Sequence, residues 1–132
     1  MKRQLREKFK ELGILAIYLF GSKARGRVVH SGDVDIGIVL NDPPADGDSR
    51  ALYHALYLLF TEIYPGSKLD IVFLQVVPLS LQYSAINEGK VLFKEDPKLT
   101  ADYEEKVMKL YLDFKPVLDY FDKVAMERYA KT

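Results

Sequence analysis

Three aspartates and one Gly-Ser pair are the residues of this chain whose types and spacing suit phosphate chemistry. Gly21-Ser22 is followed by ten residues and then by Asp33-Val34-Asp35, and Asp70 opens a later apolar run, DIVFL. Residues i and i+2 of a strand point to one face, about 6.5–7 Å apart along the chain. Asp33 and Asp35 can therefore aim both carboxylates at one cation. Hard oxygen ligands suit Mg²⁺, which is commonly held by one or two carboxylates together with substrate phosphates and water. A third carboxylate on a neighbouring strand permits two ions about 3.5–4 Å apart, and Asp70 is the candidate. The Gly21-Ser22 turn offers backbone N–H groups and a hydroxyl to phosphate oxygens, with Lys23, Arg25 and Arg27 adding positive charge nearby. Two acids at the head of a buried strand also need an energetic reason, because desolvating them unpaired is costly.

Each piece is common by itself; the order strand, Gly-Ser, ten residues, D-x-D, strand, and then a strand opened by Asp is what carries weight. Asp46-Gly47-Asp48 repeats the D-x-D spacing but lies in NDPPADGD, a Pro- and Gly-containing loop, and reads as solvated. Gly21-x₄-Gly26 imitates the start of a Walker phosphate loop. It continues Arg27-Val28, without the Lys and Ser/Thr which that loop needs. Arg25-x₄-His30 resembles the R-x₄₋₆-H-x-Y signature of HEPN ribonucleases, but position 32 is Gly and the segment does not read as helical. His30 reads as a surface-loop histidine. His54, among Leu52, Tyr53, Leu56 and Tyr57, reads as structural.

The elements that must position these groups follow from periodicity. Leu5, Phe9 and Leu12 predict a short helix over 3–12 ended by Gly13. Ile14 to Phe20 is a continuous apolar run and predicts a buried strand, and Val34 to Leu40 predicts a second buried strand. Asp48 or Ser49 can cap a helix reaching Ile63, which Pro65-Gly66 breaks. Leu69 to Val77 predicts a third strand. Pro78 opens a helix to Asn87 with Gly89 as its stop, and Val91 to Phe93 is a short last strand. From about Pro97 to near residue 130 the chain reads as helix, with Tyr103, Val107, Leu110, Phe114, Val117 and Phe121 as an apolar stripe. Pro116 predicts a kink or break at Lys115. That stripe is first a packing face, and it becomes a partner-docking surface where it stays exposed.

Composition narrows the function classes. The 132 residues carry 19 basic and 19 acidic side chains, so broad electrostatic capture of nucleic acid is not favoured. With no cysteine and two histidines, thiolate sites are excluded and a histidine-built zinc site is not expected. Length predicts one domain over 1–132. The basic N-terminal segment is interrupted by Glu7 and Glu11 and lacks a small-residue cleavage pattern, and no apolar run approaches a membrane span. A cytoplasmic location is the expectation.

The G-S-x₁₀-D-x-D layout with Asp70 as third acid resembles the DNA polymerase β-like nucleotidyltransferase superfamily. The A-R-G after Gly21-Ser22, the short length, and the tail LQYSAINEGKVLFKED followed by LDFKPVLDYF resemble the minimal nucleotidyltransferases, and more narrowly the antitoxin half of HEPN/MNT toxin–antitoxin pairs. The similarity spans essentially the whole chain. It implies an α+β fold, a small mixed sheet flanked by helices. It implies transfer of AMP from ATP, with Mg²⁺, to a tyrosine hydroxyl of a HEPN ribonuclease toxin encoded next door, in a hetero-oligomer and without direct nucleic-acid binding. Carried onto this chain, Gly21 and Ser22 hold the β- and γ-phosphates, Asp33 and Asp35 coordinate Mg²⁺, and Asp70 ligates a second ion and helps deprotonate the acceptor. Arg25 takes a phosphate-binding or structural role. Gly32 departs from the Ser that many relatives carry before the first Asp, which touches only local turn geometry. Two other readings stay open: an antitoxin that acts mainly by binding, and nucleotidyl transfer to a small molecule, for which a separate acceptor-binding domain is missing.

Overall fold

In the computed structural model, residues 2–21, 33–43 and 48–130 are described. The elements run α1 (Arg3–Glu11), β1 (Ile14–Phe20), β2 (Val34–Leu40), α2 (Arg50–Ile63), β3 (Leu69–Phe73), a 3₁₀ turn (Leu74–Val76), α3 (Leu79–Glu88), β4 (Lys90–Lys94) and α4 (Pro97–Ala130). The strands form one sheet in the order β3-β2-β1-β4. β1 pairs antiparallel with β2 and β4, and β2 pairs parallel with β3 across the α2 crossover. This is the expected α+β mixed sheet flanked by helices.

Alternation along the strands assigns the two faces. Val34, Ile36 and Ile38 of β2 join Ile17 and Leu19 of β1 in a core with Phe9 of α1 and Leu56 and Phe60 of α2. Phe9 stacks on Phe60 at 5.7 Å between ring centroids and tilts against Phe93 at 5.4 Å. On the other face, Ala16, Tyr18 and Val39 pack with Leu74, Ala85 of α3 and Tyr103 of α4. There the buried Tyr18 phenol donates to Glu104 Oε1 at 2.6 Å, and Tyr103 donates to Gln82 Oε1 at 2.7 Å. Burial first, and then the Glu104 carboxylate, push the Tyr18 phenol's pKa upward, so this pair stays a neutral donor to an anion.

The structure changes several expectations. The third strand ends at Phe73 rather than Val77. Leu74 is fully buried, and Gln75 turns its side-chain amide onto the backbone of Leu40. Gln75 Oε1 accepts from Leu40 N and Nε2 donates to Leu40 O, both at 2.9 Å. A side chain thus takes the ladder positions that further strand backbone would have filled. Asp48, not Ser49, serves the start of α2, its Oδ1 accepting from Arg50 N at 3.1 Å. Gly89 does end α3, but with an extended φ of −81°. The glycine is required by crowding, since a Cβ would collide with the Ala85 carbonyl and lie 2.9 Å from the Leu19 carbonyl. α4 opens at Asp96, whose Oδ1 accepts from the N–H groups of Lys98 and Leu99, with Pro97 in the first turn. It runs unbroken through Pro116 for 34 residues. Proline removes one N–H from the ladder, and on a solvent-exposed helix water can satisfy the freed carbonyl. His54 is exposed on α2 rather than packed into the core. No helix of the described residues is long and apolar enough to cross a membrane.

Candidate functional site

The central hairpin partner and the crossover bring two of the three aspartates side by side. In the parallel β2–β3 ladder Asp35 is in direct register with Asp70, so both side chains leave the same face of the sheet. That is the face carrying α3 and α4, because Asp35 alternates with the Val34 and Ile36 of the opposite core. On its other side Asp35 is in register with Phe20, the last residue of β1. The backbone N–H of Val34 donates to the Lys68 carbonyl at 2.9 Å, fixing the start of β2 against the start of β3. Neither Phe20 nor Lys68 announced this role in the sequence. Their part depends on register, which a single strand's pattern does not encode.

Gly21 follows Phe20 with φ +78°, a conformation that L side chains rarely adopt. A Cβ built on Gly21 would run into the Asp35 carboxylate. The glycine therefore does two things: it turns the chain out of β1, and it lets the backbone approach an acid that a larger residue would displace. Ser22, Lys23, Arg25, Arg27, His30 and Gly32 lie outside the described residues.

The electrostatics are those of crowded acids. Burial, then the charge of Asp70, then that of Asp33, and finally a hydrogen bond shared with Asp70 raise the pKa of Asp35 above its ordinary value. Asp70 is exposed, and Asp33 is partly buried, its Oδ1 lacking a hydrogen-bond partner among the described residues. Among the described residues, no three acidic or imidazole side chains close on one point as a finished metal cage. A magnesium-type ion does not need such a cage, since one or two carboxylates with substrate phosphates and water suffice. An orphaned carboxylate oxygen beside a like-charged, in-register pair fits a divalent cation with hard oxygen ligands.

Residues 3–98 match the family described as Polymerase beta, Nucleotidyltransferase, which is most of the chain. No curated protein matches the sequence. Among solved structures, a chain from a toxin–antitoxin crystal structure with AMP-PNP is 21% identical. It matches with a TM-score of 0.72 over 92% of this chain and 98% of that one. A chain from the complex of tri-AMPylated Shewanella oneidensis HEPN toxin with MNT antitoxin is 20% identical, with a TM-score of 0.66 over 96% of this chain and 99% of that one. A chain from the toxin–antitoxin MntA-HepT is 19% identical, with a TM-score of 0.66 over 95% of this chain and 99% of that one. At such identities the likeness speaks for the fold. With the Gly21 turn, the Asp35–Asp70 register and a match over residues 3–98, the chain belongs to the polymerase beta nucleotidyltransferase family.

Proposed function

We propose that this protein is an antitoxin that transfers AMP from ATP, with Mg²⁺, to a tyrosine hydroxyl of a HEPN ribonuclease toxin encoded beside it, and so silences that toxin. The observation that carries the reading is the register of Asp35 against Asp70 beside a glycine turn that only an unsubstituted backbone can make. The fold shared with chains from toxin–antitoxin complexes, one with an AMPylated HEPN toxin, supports the choice of acceptor.

In this reading Asp33, Asp35 and Asp70 hold the divalent ion, which supplies charge neutralisation for the triphosphate when bound. The N–H groups and hydroxyl of Gly21-Ser22 hold the β- and γ-phosphates, and Arg25 adds a phosphate contact. The tyrosine oxygen attacks the α-phosphorus in line, and the bond to the bridging oxygen breaks. Pyrophosphate leaves with that electron pair. Asp70, the exposed member of the pair, takes the hydroxyl proton.

Intact-mass spectrometry of the co-expressed toxin, after incubation with this protein, ATP and Mg²⁺, tests the reading. One or more AMP increments are expected with the wild-type chain and none with Asp35→Asn. Unchanged transfer by the Asp35→Asn variant would refute the assignment. A second reading, neutralisation by binding with dispensable catalysis, is favoured by one feature, the exposed apolar face of α4 beyond Leu110. It predicts that the Asp33→Asn/Asp35→Asn double variant still silences the toxin.

A further inference from the structure

α4 carries one apolar seam through two different environments. Tyr103, Val107, Leu110, Phe114, Val117, Phe121 and Val124 follow one another at alternating spacings of four and three, a seam that repeats every seven residues. Its first turns are used inside the molecule. Tyr103 packs in the core beneath α3 and α4, and Val107 is 3% exposed. Tyr111, flanking the seam, stacks on Tyr83 of α3 at 4.0 Å and 13°. Beyond it the seam continues uncovered, with Phe114 53%, Val117 49% and Phe121 63% exposed. From Leu110 to Ala130 the helix extends about 30 Å at the ordinary rise per residue. Leu118 and Ala125 widen the seam into the broad stripe of a helix that packs within a bundle.

We propose that the distal seam of α4, centred on Phe114, Val117 and Phe121, is the docking surface for a helical, apolar face of the acceptor toxin. The inference deepens the proposed function and rests on it for the identity of the partner. A seam of period 3.5 is matched by another helix, whose knobs fall into its holes. Residues 111–130 carry four acidic and three basic side chains, so there is no basic field to capture a polyanion. The affinity has to come from burying apolar surface, with two phenylalanines at the centre as the anchors. Three similar solved chains, matched over 92–96% of this one, are each described in a toxin–antitoxin structure. The anchored part of α4 packs on the sheet face from which Asp35 and Asp70 project.

The test co-expresses the full chain with the HEPN-type protein encoded beside it and compares wild type with Phe114→Glu/Phe121→Glu. A Phe114→Ala/Phe121→Ala variant serves as the milder pair. The expected result is a co-eluting complex with wild type and binding weakened about 30-fold or more in the glutamate variant. The thermal midpoint and the stabilisation by Mg²⁺ with ATP should be unchanged in both variants. Unweakened binding in both variants would overturn the proposal, as would no complex with wild type. A dimer of this chain alone that the glutamate pair converts to monomer would also overturn it, assigning the seam to a second copy. Binding through α4 without any AMP increment on the toxin would remove the transfer reading and leave the docking surface standing. AMP increments and full binding with the glutamate pair would do the reverse.

Discussion

Asp35 is held at a cost that its neighbours make visible. Its pKa is raised by burial and by the charges of Asp70 and Asp33, so the folded protein binds that proton more tightly than the unfolded chain does. For an acid shifted upward, ionisation opposes folding: stability is lost as pH rises through the window just above the ordinary 3.8 and regained on acidification. In metal-free protein, Asp35→Asn should therefore have a higher thermal midpoint than wild type at neutral pH. The gap should close as pH falls through that window. A gap that widens on acidification would mean that the crowding is misassigned. Gly21 bears the complementary constraint. Gly21→Ala places a methyl group against the Asp35 carboxylate at φ +78°, and a non-glycine residue in that conformation costs about 1–3 kcal/mol. Chemical denaturation should show that loss, and AMP transfer should fall with it because the acid is displaced.

Between residue and molecule, the elements explain why the site is where it is. β2 supplies Asp35, with Asp33 immediately before its first residue, the α2 crossover returns the chain parallel to it, and Asp70 arrives in register at the strand opening. The opposite end of β2 is closed by Gln75, whose amide makes two hydrogen bonds with the Leu40 backbone. Gln75→Ala leaves a partly buried N–H and C=O without those partners and should destabilise by about 1–3 kcal/mol. A urea titration measures this, and a change within error would show that water replaces the amide. The fold's strand lengths follow the same logic. Strand one was legible because seven consecutive apolar residues have no alternative burial, and strand two because the apolar run IGIVL follows Asp35. The third reads too long from its apolar run, because Leu74 and Val77 are core residues reached through a turn rather than along a strand.

On the scale of the whole molecule, α4 divides into an anchored half and a projecting half. Its buried residues are Thr100 and Val107, and its last stack on the body is Tyr111 against Tyr83. A chain ended after Leu112 should keep the thermal midpoint of the core to within a few degrees while losing helical signal in far-ultraviolet circular dichroism. A collapse of the fold would show that the distal helix supports the core instead. The element types, the mixed α+β character and the candidate residues for phosphate chemistry were legible in the sequence alone. These follow from local periodicity and from side-chain types that a core does not tolerate without reason. Membership of the nucleotidyltransferase family was legible for the same reason, in the spacing of Gly21-Ser22, Asp33-Asp35 and Asp70. Tertiary structure alone decided that Asp35 faces Asp70 across a parallel pair and that Gly21 must be bare because Asp35 lies against it. It alone decided that the stripe of α4 is covered as far as Val107 and uncovered beyond. Those outcomes depend on strand register and on where the sheet ends beneath a helix. Both are set by contacts between residues far apart in the chain, and neither leaves a mark on the local pattern.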